Sequence, residues 1–173
     1  MTGGSYTTPV NLRKEHRVDD FECTRPELNE WLRTHARGSH GGGFTRVVVT
    51  TEHGSDDVIG FYAIAPGSVQ ADQATTRMSA GGGRHPVPVI VLVRLAVHGD
   101  HAGQGIGSAL VRDAIIRALA SAQEIGGRAL VVHCKDDAAK AFYLKQIPEF
   151  QELPDRPLHL VLLLKDVRAT ING

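Results

Sequence analysis

The first hydrophobic pattern along the chain has the 3.6-residue period of an α-helix. The positions that share its apolar face are Leu28, Trp31, Leu32 and His35. Thr24 and Glu27 have the three-residue spacing of a capping box, and Pro26 suits the first turn of a helix. Gly38 and the glycines at 41–43 are expected to end this first helix.

Strand-like patterns follow in the next part of the chain. Residues 44–51 and 58–65 are rich in β-branched residues and flank a polar turn, which predicts a hairpin. Residues 66–86 have no clear period and are expected to form a flexible or partly helical excursion. Residues 87–97 contain a continuous apolar run, which indicates a buried central strand.

The rest of the chain alternates between helical and strand patterns. A long helix is predicted over about residues 105–123, a buried strand over 128–134 and another helix over about 136–146. The last strands are predicted at Phe150 and at residues 158–164. This order predicts a mixed α/β sheet with helices packed on both faces.

Length and composition are those of an ordinary globular protein. The 173 residues, 42% hydrophobic and 22% charged, suffice for one domain, which we expect to span residues 1–173. Cys23 and Cys134 alone do not make a disulfide framework, and the start of the chain has no signal-peptide pattern. No apolar stretch is long enough to span a bilayer. These features favour a cytoplasmic protein without a membrane segment.

The formal net charge is zero, so whole-chain charge gives no support to nucleic-acid binding. The charges are unevenly distributed, however. Residues 51–76 contain four acidic residues and no Lys or Arg, whereas residues 77–112 contain four arginines against Asp100 alone. This pattern fits either a local basic face or the ordinary scatter of surface charges.

Residues 101–110, HAGQGIGSAL, form a glycine-rich loop between the central strand and the long helix. The alternating glycines permit positive φ and let a phosphate come close to main-chain N–H groups. The start of the helix adds free amide donors and the positive end of its dipole. The loop therefore predicts a pyrophosphate site, with a turn that binds nothing as the alternative.

Two other phosphate-binding loops do not fit this segment. A Walker loop requires Lys followed by Ser or Thr after its last glycine, but Gly107 is followed by Ser108 and Ala109. A dinucleotide fingerprint requires G-x-G-x-x-G at an early strand, whereas G-x-G-x-G stands here in the middle of the chain.

Residues 102–107 resemble the coenzyme A loop of the GNAT acetyltransferases, R/Q-x-x-G-x-G/A. Ala141, Phe142 and Tyr143 also fit the helix that follows the fifth strand in that family. Ala102 stands where the family usually has Arg or Gln, which removes one side-chain contact but no main-chain donor. The resemblance implies the GNAT (acyl-CoA N-acyltransferase) fold and acetyl-CoA as the acetyl donor.

The same resemblance implies roles for individual residues. The end of the central strand is expected to bind the pantetheine arm, and the glycine loop the pyrophosphate. The implied coenzyme-binding residues are Leu95, Ala96, Val97, Gly103, Gln104, Gly105, Ile106, Gly107, Ser108 and Phe142. Tyr143 is the implied general acid, because a tyrosine phenol, with a pKa near about 10 in water, is protonated at neutral pH. Packing against the sheet edge is the alternative role for this ring.

Several separate motifs between Phe21 and Lys165 resemble the TacT-like toxins of bacterial toxin–antitoxin pairs. They include Phe21-Glu22-Cys23, Leu28-Asn29-Glu30-Trp31-Leu32, Thr45-Arg46-Val47, Gly60-Phe61-Tyr62-Ala63 and Arg94-Leu95-Ala96-Val97. The resemblance implies acetylation of the α-amine of aminoacyl-tRNA, arrest of translation, a ribbon–helix–helix antitoxin and a homodimer. The alternatives are an acetyltransferase for a small amine, such as an antibiotic or polyamine, and a catalytically silent coenzyme-binding module.

On that interpretation four arginines are candidates for binding tRNA phosphates, namely Arg46, Arg77, Arg84 and Arg94. Arg94 is equally suited to a structural ion pair at the strand end. No side chain identifies itself as a general base. This weakly supports an α-amine acceptor, because an α-amine titrates near about 7.7–8.0 against about 10.4 for Lys.

Other reactive side chains have simpler interpretations. His98 and His101 have three-residue spacing, but no thiolate or carboxylate completes a site, so no metal is predicted. Cys134, at the end of a buried strand, is expected to pack rather than to act as a nucleophile. Trp31 is expected to belong to the core rather than to a base-stacking surface.

Overall fold

The computed structural model describes residues 5–172, which form seven strands and six α-helices. The strands are β1 (Val10–Asn11), β2 (Arg46–Thr51), β3 (Val58–Val69), β4 (Val87–Val97), β5 (Ala129–His133), β6 (Gln151–Leu153) and β7 (Arg156–Leu163). The helices are α1 (Pro26–Thr34), α2 (Ala36–Gly41), α3 (Thr76–Ser79), α4 (Ile106–Ile125), α5 (Asp137–Gln146) and α6 (Leu164–Asn172). Short 3-10 helices cover Ala71–Gln73 and Gly99–His101.

The strands form one mixed sheet in the order β1-β2-β3-β4-β5-β7-β6. β4 and β5 are parallel, whereas β2 pairs antiparallel with β3, and β7 with both β5 and β6. The mixed α/β sheet predicted from the sequence is confirmed. The chain divides into two compact units. The first unit contains the residues up to 65 and Val93–Asp113, and the second contains Pro66–Leu92 and the residues from 114 onward. The single domain over residues 1–173 stays a prediction.

In the first unit, α1 packs on one face of the β2–β3 hairpin. Leu28 and Leu32 of α1 belong to the same buried cluster as Phe21 and Phe61. Phe21 contacts Phe61 edge-on, with ring centroids 5.4 Å apart. Trp31 is partly buried against this cluster and stacks on Phe61 at 6.0 Å, which confirms its predicted packing role.

The opposite face of the same hairpin carries the first turns of α4. Gly60 of β3 permits a close approach, because a Cβ there would lie 2.9 Å from Ile106 Cγ2 and 3.2 Å from Leu110 Cδ1. Two residues further along β3, the hydroxyl of the buried Tyr62 donates to Asp113 Oδ2 at 2.5 Å. Helices therefore lie on both faces of this hairpin, as the sequence predicts.

The second unit contains the parallel pair of strands. The β4–β5 ladder runs from Val89 opposite Ala129 to Leu92 opposite Val132. The far side of β5 is paired antiparallel with β7. Arg128, just before β5, donates to three carbonyl groups in and beside α3 and so fixes that short helix.

The start of α1 differs from the sequence prediction. Its N-cap is Arg25, which makes no side-chain cap, so the capping box predicted at Thr24 and Glu27 is wrong. Glu27 instead forms an ion pair with Arg25 at 3.0 Å. Pro26 occupies the first turn as predicted. Gly38 does not end the helical region, since α2 continues through it.

Two further differences concern the lengths and number of elements. β3 runs four residues beyond its predicted end, to Val69, and β1 and α6 are additional. β1 has only two residues, too few to show a period, and α6 begins directly where β7 ends, without a break in the pattern. Among residues 5–172, no helix is long and apolar enough to cross a bilayer.

Replacing Gly60 with Ala should lower the free energy of unfolding by about 1–3 kcal/mol, because the added methyl overpacks the β3–α4 contact. The matched control is Gly38→Ala, since nothing lies within 4 Å of a Cβ at Gly38. Ala inside a helix should raise stability by about 0.5–1 kcal/mol. Chemical denaturation followed by circular dichroism compares the variants, and effects of the same sign would contradict this packing.

Candidate functional site

The loop before α4 has the backbone geometry that its glycines predict. Gly103 and Gly105 have φ of 80° and 82°, and open space lies over both positions. α4 begins at Ile106, and a hydrogen bond from Ala109 N to the Gly105 carbonyl closes its first turn. The N–H groups of Ile106 and Gly107 therefore have no partner within the helix. These N–H groups fit a pyrophosphate. A Cβ at Gly103 or Gly105 would obstruct the approach of that group to the loop.

The other predicted loop residues lie in the same turn. Gln104 is exposed, and its Oε1 lies 3.5 Å from Ser5 Oγ. Ser108 is half-buried in the first turn of α4, whereas the Ile106 side chain is buried. Ile106 thus contributes its main chain to the loop and its side chain to the core.

His98 anchors the segment that leads into this loop. Its Nδ1 accepts a hydrogen bond from Asp100 N at 3.1 Å, which places the proton on Nε2, 3.2 Å from the Asp20 carbonyl. His98 N also donates to Ile59 O at 2.8 Å. Because both ring nitrogens are engaged, this side chain is structural. In the described part of the chain, no group of three or more His, Cys, Asp or Glu is placed to hold a metal.

The end of β4 lies beyond the last paired residues of the parallel ladder, Leu92 and Val132. The predicted pantetheine-binding residues follow directly. Leu95 and Val97 are half-buried, and the Ala96 side chain packs into the core of the first unit. The main chain of this segment is therefore fixed by the packing of its central residue.

Arg94 is held by an aromatic ring rather than by a carboxylate. Its guanidinium lies 4.6 Å over the ring of Trp31, an arrangement that stabilises a cation on an aromatic face. Its Nε is buried and, among residues 5–172, has no hydrogen-bond partner. Burial lowers the pKa of Arg94, although a guanidinium remains charged at neutral pH. The interpretation of Arg94 as half of a structural ion pair is therefore not supported within the described residues.

The other three predicted arginines differ in their pairing. Arg77 donates two hydrogen bonds to the Asp166 carboxylate, at 2.8 and 3.0 Å, so its charge is balanced. Arg46 Nη1 lies 3.3 Å from His40 Nε2, and burial, followed by Arg46, lowers the pKa of His40. Arg84 is exposed in the segment before β4. The first unit holds Arg46 and Arg94, and the second holds Arg77 and Arg84.

In the second unit, α5 carries the predicted general acid. Asp136 caps this helix, because its side chain accepts a hydrogen bond from Ala139 N at 2.9 Å. Tyr143 is only 8% exposed and packs edge-on against Phe142 and Phe150, with ring centroids 5.1 and 6.2 Å away. Such aromatic packing fixes the plane of the phenol ring.

Cys134, at the end of β5, is buried, and burial raises the pKa of its thiol to about 11. The thiolate is the nucleophilic form of cysteine, and at neutral pH it is scarce here. The predicted role of Cys134 in packing is confirmed.

Several contacts that shape the site could not be predicted from the sequence. They are the approach of α4 to Gly60, the Tyr62–Asp113 hydrogen bond and the Arg94–Trp31 stack. Only Gly60 had a local signal, because a glycine inside a strand often marks a close approach of another element. The other two join residues distant in sequence.

The sequence matches the profile of the acetyltransferase (GNAT) family over residues 11–147. It is 43% identical over 167 residues to a tRNA-acetylating toxin of Mycobacterium tuberculosis, which covers 96% of this chain and 98% of that protein. A probable toxin TacT of Sinorhizobium fredii is 29% identical, over 95% of this chain and 93% of that protein.

Solved structures share the fold. A mutant of KacT matches with a TM-score of 0.86 at 20% identity, covering 96% of this chain and 99% of that one. AtaT complexed with acetyl-methionyl-tRNAfMet matches equally, with a TM-score of 0.86, 20% identity and the same 96% and 99% coverage. A mutant AtaT toxin bound to the C-terminus of the antitoxin AtaR and acetyl-CoA has a TM-score of 0.81 at 21% identity, covering 98% and 99%. At such identities the likeness is one of fold.

Proposed function

Because this chain belongs to the acetyltransferase (GNAT) family, we propose that it is the toxin of a type II toxin–antitoxin pair. It transfers acetyl from acetyl-CoA to the α-amine of an aminoacyl-tRNA and so blocks translation. The observation that carries this proposal is the similarity along nearly the whole chain to the mycobacterial tRNA-acetylating toxin. The glycine loop and the Arg94 guanidinium, which rests on an aromatic ring, support it from the geometry.

The donor is held chiefly by main-chain groups. The N–H groups of the loop and of the first turn of α4 donate to the pyrophosphate, which also meets the positive end of the helix dipole. The main chain of residues 95–97 binds the pantetheine arm, and Gln104, Ser108 and Phe142 complete the contacts. When bound, acetyl-CoA supplies a thioester whose carbonyl carbon the amine attacks. Because backbone donors dominate, Ala102 lowers affinity without removing the site.

Tyr143 acts as the general acid. Its phenol donates a proton to the coenzyme sulfur as the C–S bond breaks, while the new N–C bond forms and the amine loses a proton to water. Phe142 and Phe150 hold the ring in place. No dedicated base is required, because an ordinary α-amine titrates near about 7.7–8.0 and a usable fraction is neutral at physiological pH.

The acceptor RNA is bound through phosphates. Arg46, Arg84 and Arg94 contribute positive charge, because none of the ion pairs formed within residues 5–172 includes them. Arg77 contributes least, since Asp166 already balances it. We expect a homodimer, an antitoxin of the ribbon–helix–helix type and action in the cytoplasm, where charged tRNA is found. The proposed acting unit is a single domain over residues 1–173.

Release of coenzyme A, measured with a thiol reagent, tests the acceptor class. The protein is mixed with acetyl-CoA and, separately, with charged tRNA, uncharged tRNA, a polyamine or an aminoglycoside. Release that requires charged tRNA is expected. Release with a small amine instead would make the protein a small-amine acetyltransferase. Acetyl-CoA binding without release by any acceptor would make it a silent module.

Gly105→Val should abolish measurable acetyl-CoA binding, because the branched side chain fills the space over the loop and strains a residue held at φ 82°. The matched control is Gly54→Val, which imposes similar strain at φ 80° in the β2–β3 turn and leaves the loop intact. Isothermal titration calorimetry measures both affinities. Unchanged affinity in the Gly105 variant would contradict the assigned site, as would an equally large decrease in the control.

Arg94→Gln should weaken tRNA binding and lower the slope of log affinity against log salt by about 0.7–0.9 for each phosphate that the variant no longer neutralises. Arg46→Gln and Arg84→Gln should act in the same direction. Arg77→Gln should change the slope less, because the Arg77 charge is already paired with Asp166. Filter binding over a range of salt concentrations measures the slopes. If all four variants keep the parent slope, no basic face binds the RNA.

Tyr143→Phe should reduce acetyl transfer by about 10²–10⁴-fold, the usual contribution of general acid catalysis. The affinity for acetyl-CoA should change little, because phenylalanine preserves the ring that packs on Phe142 and Phe150. Single-turnover transfer to charged tRNA and calorimetry with acetyl-CoA separate the two effects. A variant that transfers acetyl within a few-fold of the parent rate would return Tyr143 to a packing role.

A further inference from the structure

A stacked pair of histidines lies at the carboxyl end of β5, outside the groups used so far. His133 and His159 are cross-strand partners in the β5–β7 ladder. Their ring centroids are 4.1 Å apart and their planes are inclined by only 20°. His133 is exposed and His159 half-buried. The pair therefore offers a flat aromatic surface that solvent reaches on the His133 side.

The surroundings of both rings lower their pKa values and so favour the neutral imidazoles. Burial lowers the pKa of His133, and His159 and Arg156 lower it further. Burial, followed by Arg156, lowers the pKa of His159. Neutral imidazoles stack on one another and on other aromatic rings, whereas two imidazolium ions at this separation would repel.

Arg156, at the start of β7, places a cation close to this pair. It is exposed, and its Nη2 donates to Gln73 Oε1 at 3.2 Å. None of the ion pairs formed within residues 5–172 includes Arg156. An aromatic surface beside such an arginine is the combination with which proteins hold single-stranded RNA, because bases stack on the rings and the cation contacts phosphate.

The position of the pair within the second unit also favours a ligand. His133 is the residue directly after Val132, where the parallel β4–β5 ladder ends. In α/β sheets, ligands bind at the carboxyl ends of parallel strands.

We infer that His133 and His159 form a stacking surface for an unpaired base at the 3′ end of the acceptor RNA. The base lies on the outer face of His133, and Arg156 contacts a neighbouring phosphate. This inference rests on the proposed function, since the aminoacyl group is attached to that single-stranded end. It assigns the stacking role that Trp31, packed against Phe61 and Arg94, does not fulfil.

The test uses tRNA in which 2-aminopurine replaces the 3′-terminal adenine, because stacking quenches the fluorescence of this base. Binding is measured without acetyl-CoA, so the result does not depend on catalysis. His133→Leu removes the aromatic face, His133→Phe restores one, and His53→Leu is the control at an exposed histidine of the β2–β3 turn. Kinetics with charged tRNA are measured for each variant, and circular dichroism confirms that each is folded.

Parent protein, His133→Phe and His53→Leu should quench the probe, and His133→Leu should not. His133→Leu should also raise the KM for charged tRNA by about 5-fold to 150-fold, the usual value of one stacked base, with the KM for acetyl-CoA unchanged. Arg156→Gln should lower the salt slope by about 0.7. Two results would overturn the proposed stacking surface. One is equal quenching of the probe by His133→Leu and by the parent protein. The other is no quenching by a parent protein that does acetylate charged tRNA. Quenching without acetyl transfer overturns only the proposed function.

Discussion

The close contact between β3 and α4 at Gly60 is the constraint on which the rest of the site depends. A Cβ there would lie 2.9 Å from Ile106, the first residue of α4, so the strand and the helix start are held in direct contact. The Tyr62–Asp113 hydrogen bond holds the same helix two turns further on. The loop amides thus have fixed positions before any ligand arrives. Donors arranged in this way bind an anion without the entropic cost of ordering flexible side chains.

A chain with no net charge binds a polyanion only if some of its cations are not neutralised by carboxylates. Arg77 and Arg17 are balanced by Asp166 and Asp57, at 2.8 Å each. Within residues 5–172, Arg94 and Arg156 are instead held by an aromatic ring and an amide, and no carboxylate of that range pairs with them. This difference shows how a protein of neutral composition can bind the RNA substrate proposed for it. It also shows why counting arginines along the sequence overstates the number that contribute.

The parts of the structure that depend on residues close together in the sequence could be predicted from it. β4 has its predicted limits, and α4 and α5 begin within a residue of theirs, because apolar periods and glycines act locally. The glycine loop was predictable for the same reason. The predicted capping box of α1 was wrong because Arg25, rather than Thr24, takes the N-cap position. The Arg77–Asp166 pair spans 89 residues, and the His133–His159 stack depends on strand register, so neither leaves a local signal.

The most direct measurement is the mass of the aminoacyl-adenosine released by ribonuclease from charged tRNA after incubation with the protein and acetyl-CoA. We predict that it gains one acetyl group and that fragmentation places this group on the α-amine of the amino acid. Omission of acetyl-CoA should leave the mass unchanged. An unmodified aminoacyl-adenosine, or an acetyl group found only on the nucleobase or as free acetate, would contradict the assignment of this chain as an aminoacyl-tRNA acetyltransferase.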